Sequence, residues 1–164
     1  MLDEDPKVKI WQLIDNEWWE PETDYAGTPD VHTGWYDNNS GTPQITVTNN
    51  EEFVIGGGNT GHTAISHENN LSQLRRGEML VNCWSGTRED LRGASDTNSD
   101  INPKKLSYQM ASHSFDILAD HGSGRINGEQ FFNSLAPGPV REVPETEEEF
   151  ISRHEITVIY TYKQ

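Results

Sequence analysis

His154-Glu155-Ile156-Thr157-Val158-Ile159-Tyr160-Thr161-Tyr162 is the stretch whose reading decides the fold. From Ile156 onward it is entirely β-branched or aromatic, with neither Gly nor Pro, the composition of a strand. Side chains alternate across a strand. Ile156, Val158, Tyr160 and Tyr162 therefore share one face, and Thr157, Ile159 and Thr161 share the other. A large amphipathic face backed by a threonine-rich one predicts an inner strand with one core face and one partly covered face. The best neighbour is Glu78-Met79-Leu80-Val81-Asn82-Cys83-Trp84, with Met79, Val81 and Cys83 on one side and Leu80, Asn82 and Trp84 on the other. The longest helical pattern, Asn102 to Gly122, is expected to pack across both strands. Asn102 is its N-cap, Pro103 sits in the first turn and Gly122 closes it. Leu106, Met110, His113 and Ile117 form its apolar stripe.

The rest of the chain extends this nucleus. Asp5-Pro6 starts a short amphipathic helix carrying Ile10, Leu13, Ile14 and Trp18, ending between Glu17 and Glu20. Residues 20–42 are rich in Pro, Gly, Asp and Asn and predict a long loop tied down by Trp35 and Tyr36. Pro43–Thr48 and Glu52–Ile55 read as two strands joined through Asn49-Asn50 as a hairpin. A second long loop is expected over about 56–70. A turn around Leu71–Arg76 follows it, and an exposed loop spans Ser85 to Ser99. Residues 129–135 read as a short helix or strand, and Val143–Phe150 as a solvated acidic connection. The expectation is one domain over residues 1–164. Its class is α+β in two layers, a small, mainly antiparallel sheet with helices on one face.

Composition narrows the possible partners. Twenty-seven acidic residues against 12 basic ones give a net charge of −15, which disfavours nucleic acid and anionic membranes. Only 32% of residues are hydrophobic, and the mean hydropathy is −0.79. Five Trp, five Tyr and five Phe supply much of the apolar area. The acids are spread along the chain and lysine occurs five times, a pattern suited to a folded protein in molar salt. Self-repulsion is screened within a few ångström at about 1 M salt. The single cysteine, Cys83, excludes an internal disulfide and reads as a buried small hydrophobe. No run approaches the roughly 20 apolar residues of a membrane span. Met1-Leu2-Asp3-Glu4-Asp5 is unlike a signal peptide, so the chain is expected in the cytoplasm or in something assembled there.

Motifs for chemistry are weak. Gly56-Gly57-Gly58-Asn59-Thr60-Gly61-His62-Thr63 has the spacing of a phosphate-binding loop after a strand, but His62 stands where the lysine belongs. A largely neutral imidazole supplies no permanent charge to a phosphate. His32, His62 and His67 lack a completing cysteine or carboxylate, and no nucleophile–base pair can be placed. The expectation is no catalytic residue, no cofactor and no metal. Trp18, Trp19, Trp35, Tyr36, His62, Arg75 and Arg76 are the candidate interface residues.

The order of elements carries a resemblance. An N-terminal amphipathic helix is followed by a long loop and a Gly77-Glu78-Met79-Leu80-Val81-Asn82-Cys83-Trp84 strand. A long helix and the final His154–Tyr162 strand come next. This succession, over about residues 5–162, resembles the tail terminator, or tail completion, proteins of tailed viruses. The acidic composition points to a virus of salt-loving archaea. The resemblance implies a non-catalytic virion protein forming a ring, usually a hexamer. Such a ring caps the tail tube and meets a head-side stopper or adaptor, and viral DNA passes through its lumen without specific binding. It also implies assembly in the host cytoplasm and a final place in the virion neck. Two alternatives stand beside it. One is another neck or minor tail ring protein. The other is a halophilic nucleotide-binding or binding-module protein using Gly56–Thr63.

Overall fold

A computed structural model describes residues 5–18, 28–37, 41–57, 73–86, 102–144 and 152–163. Helix α1 spans Pro6–Glu17. Its N-cap is Asp5, whose carboxylate accepts from the Lys7 amide at 2.9 Å. Strands β1 (Asp30–Thr33), β2 (Gln44–Gly57) and β3 (Gln73–Ser85) follow. Helix α2 spans Pro103–Asp120. Asn102 caps it, accepting from the Lys104 and Lys105 amides at 3.0 and 3.3 Å. The C-terminal part holds β4 (Arg125–Ile126), β5 (Glu129–Gln130), β6 (Phe132–Pro137), β7 (Arg141–Val143) and β8 (Ser152–Lys163). Asn127 and Gly128 join β4 to β5 with φ of 53° and 82°, the positive pair that a tight two-residue hairpin demands.

The main sheet runs β1-β2-β3-β8-β6, and β7 also pairs with β8. Every pairing in it is antiparallel except β1 with β2. The terminal strand is therefore interior. It lies along β3 from Leu74↔Lys163 to Ser85↔Ser152 and takes β6 and β7 on its other side. Both helices cover one face, as the α+β reading requires. Ile45, Val47, Met79, Val81, Cys83, Ile156, Val158 and Tyr160 lie fully buried beneath them. Ile10, Leu13 and Ile14 of α1 and Leu106, Met110, Ala111 and Leu118 of α2 complete the same apolar cluster. The Trp11 indole donates to the Val31 carbonyl at 2.6 Å and ties α1 to β1.

Several expectations are corrected. Asn49-Asn50 does not turn the chain. Residues 44–57 form one strand against β3, and a register shift between Asn49 and Glu51 absorbs the irregularity. Leu74, Arg75 and Arg76 are not a turn but the start of β3. The 20–42 loop contains β1, a parallel edge strand. Residues 129–135, where the sequence leaves helix and strand both open, take the strand form in β5 and β6 on either side of Phe131. Of the expected 56–70 loop, Gly56 and Gly57 belong to β2, and the remainder lies outside the described residues. So do most of 85–99 and 145–150.

Candidate functional site

The sheet face away from the helices carries a polar and aromatic cluster. β3 supplies Asn82 and Trp84, and β8 supplies Arg153 and Glu155, which pair directly with them across the strands. The chain after β1 adds Trp35 and Tyr36. Gln44 fixes that segment, and all its hydrogen-bonding sites are used. Its Oε1 accepts from the Asp37 amide at 2.9 Å and meets His32 Nε2 at 3.0 Å. Its Nε2 donates to the Asp37 and Gly41 carbonyls at 3.0 and 2.8 Å. Trp35 and Tyr36 then pack on Trp84 with ring centroids 5.2 and 5.0 Å away.

Arg153 closes the cluster. Its guanidinium lies 5.1 Å from the Trp35 ring and 5.0 Å from the Trp84 ring. It also donates to Asn82 Oδ1 at 3.1 Å and lies 3.9 Å from the buried Glu155 carboxylate, which Arg141 grips from outside. Burial lowers the Arg153 pKa, and Glu155 opposes the shift. Stacking on indoles suits a planar, weakly hydrated guanidinium. The Trp84 indole donates to Thr46 Oγ1 at 3.0 Å. Trp35 remains 54% exposed.

A second cluster lies at the far end of β2. Tyr160 and Tyr162 donate to Glu52 at 2.6 and 3.0 Å, and Arg75 Nη1 donates to it at 3.0 Å. Burial raises the Glu52 carboxyl, but the bonds from Tyr160, Arg75 and Tyr162 outweigh it and hold its pKa below the usual value. Burial and the Glu52 charge push Tyr162 up to about 12 and also raise Tyr160. The strand then continues into Phe53, Val54 and Ile55, which are 46%, 44% and 44% exposed. Arg76, opposite Phe53, is exposed too.

A third cluster pairs Ser107 with His154, Oγ to Nδ1, at 2.7 Å, with Ser152 Oγ 3.1 Å from Ser107. It has the composition of a nucleophile and a base. The Ser107 hydroxyl also meets the Lys104 carbonyl at 3.1 Å, so the His154 tautomer decides whether its one proton goes to that oxygen, to Ser152 or to the imidazole. Burial lowers the His154 pKa. All three residues are buried. The cluster satisfies polar groups beneath α2.

On the outer side of α2, Tyr108, Ser112, Phe115 and Asp116 face Pro139 and Val140 across a groove of about 310 Å³. Tyr108 is 53% exposed.

The candidate interface residues thus separate. Trp35 and Tyr36 come together on the sheet face away from the helices. Arg75 is engaged by Glu52, and Arg76 points outward along the same strand. Trp18 packs edge-on against His113 at 4.5 Å, its buried indole nitrogen without a partner, so it belongs to the helix layer. Trp19 and His62 lie outside the described residues. Sequence reading missed Arg153, Glu52 and the exposed run at 53–55. No local pattern marks Arg153, because its aromatic partners come from the end of β1 and from β3. β2 and β3 are antiparallel neighbours, whereas a phosphate-binding loop joins a strand to a crossover helix, so Gly56–Thr63 gains no support from its surroundings. Among the described residues, no group of three metal-ligating side chains converges and no helix is long and apolar enough to cross a membrane. No protein-family model matches the chain, and no curated protein is significantly similar to it.

Proposed function

We propose that this protein is a structural, non-catalytic ring subunit of a virion neck, acting as a tail terminator that joins the tail tube to the head-side connector of a halophilic virus. The observation that carries this reading is the run Phe53-Val54-Ile55 near the end of the longest strand, each side chain 44–46% exposed on a chain of net charge −15. A chain this short of apolar residues gains nothing by displaying three in a row to water. Phe53 and Val54 point to opposite faces of the sheet, so the strand end shows apolar side chains to water on both faces, and exposed apolar surface of this kind marks a protein contact. Trp35 and Tyr108 add further large exposed rings. The reading also draws on the element order that carries the resemblance. The acidity fits a lumen through which DNA slides without sticking.

Light scattering in molar salt tests the ring directly. A mass several times 18.6 kDa, with open-centred particles in electron micrographs, is the expected result. A monomer at every concentration overturns the reading. In infected cells, loss of the gene is expected to leave filled heads and unattached tails. Normal virions without it would refute the neck assignment.

A further inference from the structure

We infer that the distal half of β2 in one copy docks into the α2 groove of the next copy, so that each subunit is both donor and acceptor. The inference rests on the ring reading and specifies its contact. Three observations converge on it. First, among the described residues β1 pairs with Asp30↔Gln44 to Thr33↔Val47 only, so beyond Val47 the strand β2 forms the margin of the sheet. Phe53, Val54 and Ile55 stand exposed on that margin. Second, the groove lined by Tyr108, Phe115, Pro139 and Val140 lies beside the link from β6 to β7, at the opposite margin of the same sheet. At about 310 Å³ it accepts apolar side chains rather than a whole helix. Third, one pair of opposite charges can meet across the contact, beside the like-charged Glu51. Arg76 is exposed opposite Phe53, and Asp116 is exposed at the groove.

The two surfaces are different and lie at opposite margins. Contact between them is therefore heterologous, each copy repeating the same rotation until the assembly closes. Such a contact gives a ring where the rotation closes and an open filament where it does not, whereas self-pairing of either surface alone would end at a dimer. Apolar burial also suits molar salt, which screens charge attraction but leaves hydrophobic association intact.

Disulfide mapping on the full chain tests this. The native Cys83 is fully buried, with its thiol pushed up to about 12 by burial, so it stays out of the reaction. Phe53→Cys and Tyr108→Cys variants are prepared separately, checked for native circular dichroism, mixed in molar salt and oxidised. Disulfide-linked dimers are expected from the mixture and not from either variant alone. A Val54→Asp variant, native by the same criterion, is expected to raise the concentration needed for assembly by about tenfold or more. Dimers from Phe53→Cys alone would mean a self-paired contact and overturn the inference. A wild-type ring with no cross-link in the mixture, or with assembly unchanged by Val54→Asp, overturns the docking while leaving the ring reading intact. A wild-type monomer overturns both.

Discussion

The two halves of β2 make opposite uses of the same kind of sequence. In the first half, Gln44, Ile45, Thr46 and Val47 are all fully buried. β1 flanks them, the helices lie over Ile45 and Val47, and the Trp35–Tyr36 segment is pinned through Gln44. In the second half, Phe53, Val54 and Ile55 are just as apolar and remain close to half exposed, although Phe53 and Val54 pair with the same strand β3 and Ile55 sits at a register shift against it. Alternation and β-propensity make a strand in either place. Only neighbouring elements decide whether its side chains meet protein or water. Strand pairing holds β2 along its length, whereas burial stabilises one half and leaves the other exposed.

The sharpest test removes the strand on which both halves depend. β8 is bonded to β3 along its whole length, and β3 carries β2. Deleting residues 155–164 strips Ile156, Val158 and Tyr160 from the core and exposes both flanks of the remaining sheet. Loss of folding is expected, read as absent near-ultraviolet circular dichroism and rapid proteolysis. A folded truncation would show that β2 and β3 stand without β8.

The boundary between the halves comes next. A Cβ at Gly77 would overlap the Tyr160 hydroxyl and approach the Glu51 carbonyl to 2.9 Å. Gly77→Ala must displace a fully buried tyrosine or bend β2. A loss of about 1–3 kcal/mol in denaturant unfolding is expected. An unchanged midpoint would mean that Tyr160 moves without cost.

A smaller effect belongs to Glu52, which links the boundary to Tyr160, Tyr162 and Arg75. Its pKa is lower folded than unfolded, so its contribution to stability is complete above the unfolded value. That contribution is lost as pH falls through the folded value. Glu52→Gln is expected to cost on the order of 1 kcal/mol near neutrality and to flatten the acid limb of the stability curve. Equal acid sensitivity in the two proteins would assign that limb to other carboxylates.

The contrast between the halves was only partly legible in sequence. The period-2 pattern of His154–Tyr162 and Glu78–Trp84 identified the central strands and their faces, because burial on one side imposes alternation. Asp5-Pro6 and Asn102-Pro103 marked both helix starts, because capping is a local event. Asn49-Asn50 misled, since turn-forming residues inside a strand look the same whether they turn the chain or sit at a register shift. Arg75 and Arg76 read as a turn because their strand partners, Val54 and Phe53, are defined only by the long pairing of β2 with β3. Exposure was invisible for the same reason. Nothing in Phe53-Val54-Ile55 differs in kind from Ile45-Thr46-Val47 until the surrounding elements are placed. The Arg153 stack joins side chains from β3, β8 and the end of β1, so no window of sequence contains it.

The smallest effect on stability is the most informative about function. Phe53→Ser removes a ring that is already 46% exposed and is not a member of the buried cluster. A surface change of this kind shifts unfolding free energy by less than about 0.5 kcal/mol, so its denaturation midpoint at low protein concentration is expected to overlay the wild type. Val47→Ser, on the same strand beneath the helices, is expected to cost about 2–3 kcal/mol, because it replaces a fully buried apolar side chain with a hydroxyl. Assembly reverses the order. Phe53→Ser weakens association although the subunit is intact, whereas Val47→Ser weakens it only in proportion to the fraction unfolded. Finding that Phe53→Ser destabilises the isolated subunit as much as Val47→Ser does would place Phe53 in the core and remove the distinction between the two halves of β2.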